Sequence, residues 1–170
     1  MATIAAVVLA AGEASRFGRP KQQLLLPRVL ERLGQTSVDE IVVVEGAYPL
    51  ETPVAARLLP CTDWELGPGA SLRCGLAGLG DEVEAAVVVL ADGPNLAPGS
   101  VERVLKEWRR VGGVVAASYD GGRGHPLVLD RTEWQHVPDE GLRTFAVTLV
   151  PCDDLGAPGD VDTPEDLETL

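Results

Sequence analysis

The stretch Ile4–Lys21, IAAVVLAAGEASRFGRPK, sets the terms for reading the rest of the chain. The run Ile4–Ala10 is apolar throughout, without the alternation of a strand that wets one face. A strand of that kind is buried on both faces, as in a parallel sheet flanked by helices. It ends in a loop with glycines at 12 and 18, followed by Arg19, Pro20 and Lys21 and then a helical pattern. Such a loop presents backbone N–H groups, and glycine lets the backbone approach a phosphate closely. Arg16 and Lys21 add positive charge at the same place. The spacing is not G-x-x-x-x-G-K-[ST]. Nor is it G-x-G-x-x-G, since Ala14 and Phe17 stand where glycines would be needed, which argues against a nicotinamide oxidoreductase. A glycine-rich turn with solvated bases and a phosphate-binding loop remain the two readings. The chain has 14 basic residues, only two of them Lys, which makes Lys21 unusual as mere surface.

Six further runs read as strands: Glu40–Glu45, Leu58–Cys61, Ala85–Ala91, Val114–Ser118, His125–Asp130 and Ala146–Cys152. Helical patterns occupy Leu24–Leu33, Ser71–Leu79 and Pro98–Val111, where Pro98 suits the first turn. Leu142 opens a candidate short helix, and Thr163 is a candidate N-cap for Pro164–Leu170. Alternating strands and helices predict one three-layer α/β domain with a mostly parallel sheet.

The 170 residues suit a single domain spanning 1–170, with 45% apolar residues to form its core. Net charge is −12, and the stretch Pro151–Leu170 holds seven acids and no base. That balance argues against nucleic acid and anionic membrane surfaces as partners. Cys61, Cys74 and Cys152 are scattered and odd in number, the usage of a reducing compartment, and no zinc spacing is present. No signal peptide or membrane span is evident, so a cytoplasmic location is expected.

Asp92 follows the most apolar strand, flanked by Gly93 and Pro94. A carboxylate beyond a strand end suits a hard divalent cation bridging phosphates, and equally an Asx-turn. Asp162, before Thr-Pro-Glu-Asp, offers a second carboxylate or ordinary helix-start chemistry. Ser71 and Arg73 lie in a Gly-Pro-Gly turn that opens a helix, a natural anion or base-edge site. His125 sits between Gly124 and Pro126 at a strand entrance, where a structural role outweighs proton transfer. Arg143 is either an anion contact or a solvated side chain.

Leu9–Lys21 resembles the signature L-A-[AG]-G-x-x-x-R-[MF]-G-x-x-K of the MobA-like nucleotidyltransferases. Five more segments resemble that family's pattern in order: Gly69–Gly75 (GASLRCG), Leu90–Pro94 (LADGP), Gly124–Leu129 (GHPLVL), Asp139–Arg143 (DEGLR) and Asp160–Asp166 (DVDTPED). The resemblance implies a Rossmann-like nucleotidyltransferase fold and nucleotidyl transfer with Mg²⁺. Its catalytic residues would be Arg16, Lys21 and Asp92, and its metal ligands Asp92 and Asp162. Leu9, Ala10, Ala11, Gly12, Arg16, Lys21 and Ser71 would bind the nucleotide; His125 and Arg143 would face the acceptor. The turn Ala10–Gly12 resembles the cytidylyl subgroup that acts on molybdenum cofactor, whereas the guanylyl subgroup resembles L-A-G-G. CTP is therefore expected ahead of GTP, with a molybdopterin-type acceptor and pyrophosphate as product. The oligomeric state is left open.

Pro20-Lys-Gln22 is also similar to the P-K-Q of the isoprenoid-pathway cytidylyltransferases, but their D-A-A-R-P segment is absent. The chain departs from the MobA-like pattern after Lys21, where no G-x-P element precedes the helix. That departure keeps a non-catalytic nucleotide-binding or partner-binding member as one alternative; a cytidylyl- or guanylyltransferase acting on another acceptor is the other.

Overall fold

The computed structural model describes residues 2–12, 21–52 and 55–159, with backbone alone for residues 21 and 22. Seven strands form one sheet: β1 (Thr3–Ala10), β2 (Glu40–Glu45), β3 (Arg57–Pro60), β4 (Val83–Leu90), β5 (Val114–Tyr119), β6 (Gly122–Asp130) and β7 (Thr148–Pro151). Their order across the sheet is β3-β2-β1-β4-β6-β5-β7. All neighbours pair in parallel except β6, which runs antiparallel to both β4 and β5. The mostly parallel sheet read from the sequence is therefore present, with one reversed strand inside it.

Among the described residues three α-helices cover the sheet: α1 (Lys21–Leu33), α2 (Pro68–Ala77) and α3 (Pro98–Val111). Period-two geometry divides β1 between two cores. Ile4, Ala6, Val8 and Ala10 face α1 and α3, where Leu26, Val29, Val104 and Leu105 are buried. Ala5 and Val7 face α2 with Leu72 and Leu76. Helix α2 lies close on the sheet because Gly75 has no side chain. A Cβ there would stand 2.6 Å from a Val7 methyl and 2.9 Å from a Val44 methyl. Ser71 lies one turn earlier on the same side of α2, so this close packing also sets its height over the end of β1.

Several expectations shift, among them α2, which spans Pro68–Ala77 rather than Ser71–Leu79, and β6, which starts at Gly122 rather than His125. Helix α1 starts at Lys21 rather than Leu24, directly after the glycine loop. No helix forms at Leu142. Residues 142–145 make a single turn closed by the Phe145 N–H donating to the Leu142 carbonyl at 3.0 Å, an oxygen that also accepts from the Arg123 guanidinium. Among the described residues no helix is long and apolar enough to cross a membrane. The candidate helix Pro164–Leu170 and its cap Thr163 lie outside them.

Candidate active site

Strand β1 leads through α1 to β2 on one side, whereas β3 leads through α2 to β4 on the other. The direction of winding therefore changes between β1 and β4, with α1 and α2 packed on opposite faces of the sheet. Such a switch point opens a crevice at the carboxyl ends of its two strands. Gly12 follows β1 there and Asp92 follows β4, with the strands joined beyond their ends by the Ala91 N–H donating to the Leu9 carbonyl at 3.1 Å.

A cleft of about 330 Å³ lies at this point, lined by Leu9, Ala11, Gly12, Ser71 and Asp92 and walled by Trp64. Ser71 is buried at the start of α2. The Ala10 side chain packs into the core on the α1 side, which leaves its backbone as the part nearest the loop. Lys21 is the first residue of α1; its side chain, like Arg16 and Asp162, lies outside the described residues. The last described residue, Gly159, stands against Gly93: a Cβ on Gly93 would be 2.9 Å from Pro158 Cβ and 3.3 Å from the Gly159 carbonyl.

The expected anion site at the α2 N-terminus is partly filled by protein. The Gly69 N–H donates to the Asp139 carbonyl at 2.8 Å. Arg73 donates to the Val137 carbonyl at 2.9 Å and pairs with the Asp139 carboxylate. Arg73 is thus a strut between α2 and the 137–145 loop rather than an open anion contact.

A second hollow of about 390 Å³ adjoins the first across Leu9, Pro68 and Leu90. Arg123, His125, Glu140 and Arg143 line it. His125 enters because β6 is reversed: the start of an antiparallel strand lies at the same sheet edge as the ends of the parallel ones. A third hollow of about 340 Å³, lined by Leu96, Tyr119, His125 and Pro158, continues on the opposite face. Leu90, the last residue of β4, borders all three. Desolvation holds the His125 imidazole below its ordinary pKa; Asp92 opposes that shift and Arg123 adds to it. The Tyr119 hydroxyl donates to the His125 carbonyl at 2.9 Å, fixing the turn into β6. A neutral, partly buried histidine suits contact with a ligand.

Among the described residues no three His, Cys, Asp or Glu side chains are grouped to hold a metal. Magnesium does not need such a cage: it commonly binds one or two carboxylates, substrate phosphates and water. Asp92, an oxygen donor in a cleft beside a glycine turn, fits that mode.

Sequence reasoning passed over Trp64 and the cysteines. Trp64 forms a wall of the first cleft because Gly46 admits it; a Cβ on Gly46 would lie 2.7 Å from the Trp64 side chain. Its place just ahead of Gly67-Pro68-Gly69 was the available signal. Cys61 and Cys74 form a disulfide between the segment leading to Trp64 and α2, leaving Cys152 free and buried. The sparse, odd cysteine count gave no sign of this pairing.

No curated protein matches the sequence. Among solved structures, Rv0371c from Mycobacterium tuberculosis H37Rv is 26% identical, with a TM-score of 0.80 over 99% of this chain and 97% of that one. A structure of Rv0371c in complex with manganese is 25% identical, with a TM-score of 0.80 over 99% and 98% of the respective chains. A nucleotidyl transferase from Methanothermobacter, Mth528, shares the fold at 18% identity, with a TM-score of 0.75 over 98% and 95%. The model of the MobA-like NTP transferase domain matches residues 6–146, from β1 through the 137–145 loop. With that match spanning both the glycine turn and the strand-end aspartate, the chain belongs to the MobA-like NTP transferase family.

Proposed function

We propose that the protein transfers CMP from CTP to a phosphate of a molybdopterin-type acceptor and releases pyrophosphate. The observation that carries this reading is the meeting of Gly12, Ser71 and Asp92 in one cleft at the switch point, with a second hollow adjoining it. Nucleotidyl transfer needs two substrates side by side, and the adjoining hollows suit that requirement.

In this reading the backbone around Gly12 wraps the triphosphate, Ser71 contacts the nucleoside, and Trp64 offers a face on which a base can stack. Arg16 and Lys21 neutralise charge on the α-phosphate and the departing pyrophosphate. Asp92 and Asp162 hold Mg²⁺, which supplies charge neutralisation between the phosphates when bound. Arg143 meets the acceptor phosphate, and His125 contacts the acceptor body. An acceptor phosphate oxygen bonds to the α-phosphorus while the bond from that phosphorus to the β-phosphate oxygen breaks. Positioning and electrostatics carry such a reaction, with no covalent enzyme intermediate required. The manganese complex of Rv0371c is consistent with a divalent ion in a relative.

The deciding experiment measures pyrophosphate release from CTP and from GTP, each with Mg²⁺ and molybdopterin cofactor, beside titrations of the same nucleotides. Release that requires CTP supports the reading, and a preference for GTP overturns the choice of nucleotide. CTP binding with no release from any acceptor supports the non-catalytic alternative, which the missing G-x-P element favours.

A further inference from the structure

We propose that Arg73 and Arg123 are positioning residues that clamp the 137–145 loop as the acceptor-side wall, an inference that rests on the acceptor hollow of the proposed function. The loop has no regular secondary structure of its own. It nevertheless supplies Glu140, Gly141, Leu142 and Arg143 to the hollow. Its backbone carbonyls need partners that a sheet or helix would otherwise provide.

The two guanidiniums provide them from opposite ends. Arg73, on α2, binds the entry of the loop through the Val137 carbonyl at 2.9 Å and the Asp139 carboxylate. Arg123, at the start of β6, binds the exit through the Phe145 carbonyl at 3.2 Å and the Leu142 carbonyl. The backbone of α2 completes the seat. A Cβ on Gly69 would collide with the Pro138 carbonyl oxygen, so only glycine allows this approach.

Each arginine spans two acceptors separated along the loop, which a planar fork with several donors can do and a single ammonium cannot. The Arg73–Asp139 pair is 39% and 52% exposed on its two sides. Exposed ion pairs add little to global stability. What this pair fixes is local: the position of Arg143 and Glu140 relative to the end of β4.

The test compares the whole protein with Arg73→Lys, Arg123→Lys, Arg73→Ala and Arg123→Ala. Hydrogen exchange of amides 137–145 should quicken about tenfold in the alanine variants, as the loss of a charge-assisted hydrogen bond implies, while β1 and β4 keep their protection. With molybdopterin cofactor as acceptor, its KM should rise about tenfold while the KM for CTP holds within about twofold, and lysine should rescue poorly. Unchanged exchange in the loop overturns the clamp. Equal rises in both KM values overturn it too, since a merely structural role would move both. A wild-type protein that leaves molybdopterin cofactor unmodified counts against the proposed acceptor; the exchange measurement then decides the clamp by itself.

Discussion

The two sides of the trough are built by different means. On the side proposed to take the nucleotide, Gly12 and Asp92 stand two residues past the ends of β1 and β4, the paired central strands buried on both faces. Their positions follow from the sheet itself. On the acceptor side, His125 and Arg123 come from the start of a reversed strand, and Glu140 and Arg143 from a loop held by side-chain donors. Rigid positioning there depends on a few guanidinium contacts across long sequence separations. Within one fold, the part to which we assign the nucleotidyl chemistry rests on backbone pairing. The part that would choose the acceptor rests on replaceable side chains, the division expected if loops carry specificity on a fixed scaffold.

That contrast can be tested by variants on each side. Asp92→Asn should keep the melting temperature, because the change nearly preserves shape. It should lose Mg²⁺-dependent turnover by a hundredfold or more, on the scale of removing a preorganised electrostatic group. If the Asp92→Asn protein binds Mg²⁺ and CTP like the wild type, Asp92 returns to turn formation. Lys21→Ala should lower turnover by roughly a hundredfold while weakening CTP less, and Lys21→Arg should restore little. Equal losses in rate and affinity would make Lys21 a uniform binder.

Trp64→Ala should weaken CTP about tenfold in a direct titration, in line with base stacking on an aromatic face, and leave the acceptor KM in place. Arg143→Ala should do the reverse, raising the acceptor KM several-fold, roughly the loss of one charged hydrogen bond, at constant CTP KM. If either variant moves both constants together, the two sides are not separable.

The smallest effect concerns pH. His125 is held below its ordinary value of 6.5 by burial. Below that value the unfolded chain takes up a proton that the folded chain resists. The stability contribution is therefore complete above 6.5 and is lost as pH falls through the lowered folded value. Melting temperatures of the wild type and His125→Asn, compared between about pH 5 and 8, should converge at the acid end. Parallel curves would remove His125 from the account.

The β1 and β4 ends were legible because buried parallel strands write themselves as continuous apolar runs, and Gly12 and Asp92 follow closely on those runs. The reversal of β6 was not. Leu127, Val128 and Leu129 are buried in a run that reads alike in either direction, so composition carries no sign of polarity. The same ambiguity left His125 at a strand entrance without showing that this entrance lies at the ligand edge. Arg73 was legible as a base near a helix start but not as a strut. Its partners are a carbonyl and a carboxylate 64 and 66 residues away, and a carbonyl has no residue type to recognise. The Leu142 carbonyl was as silent: it accepts both a local Phe145 N–H and the distant Arg123 guanidinium, and only the first has a sign in the local sequence.

The Cys61–Cys74 bond bears on the unfolded chain as well as on the folded one. It closes a loop with a sequence separation of 13, and this loop contains Trp64, Ser71 and Arg73. Restricting a loop of that size removes entropy from the unfolded ensemble worth about 3 kcal/mol on a chain-entropy account. Where surrounding thiols are kept reduced, the bond and its contribution are both lost. The electron supply around the protein therefore acts on the stability of the whole fold, through a bond that closes the segment walling the first cleft.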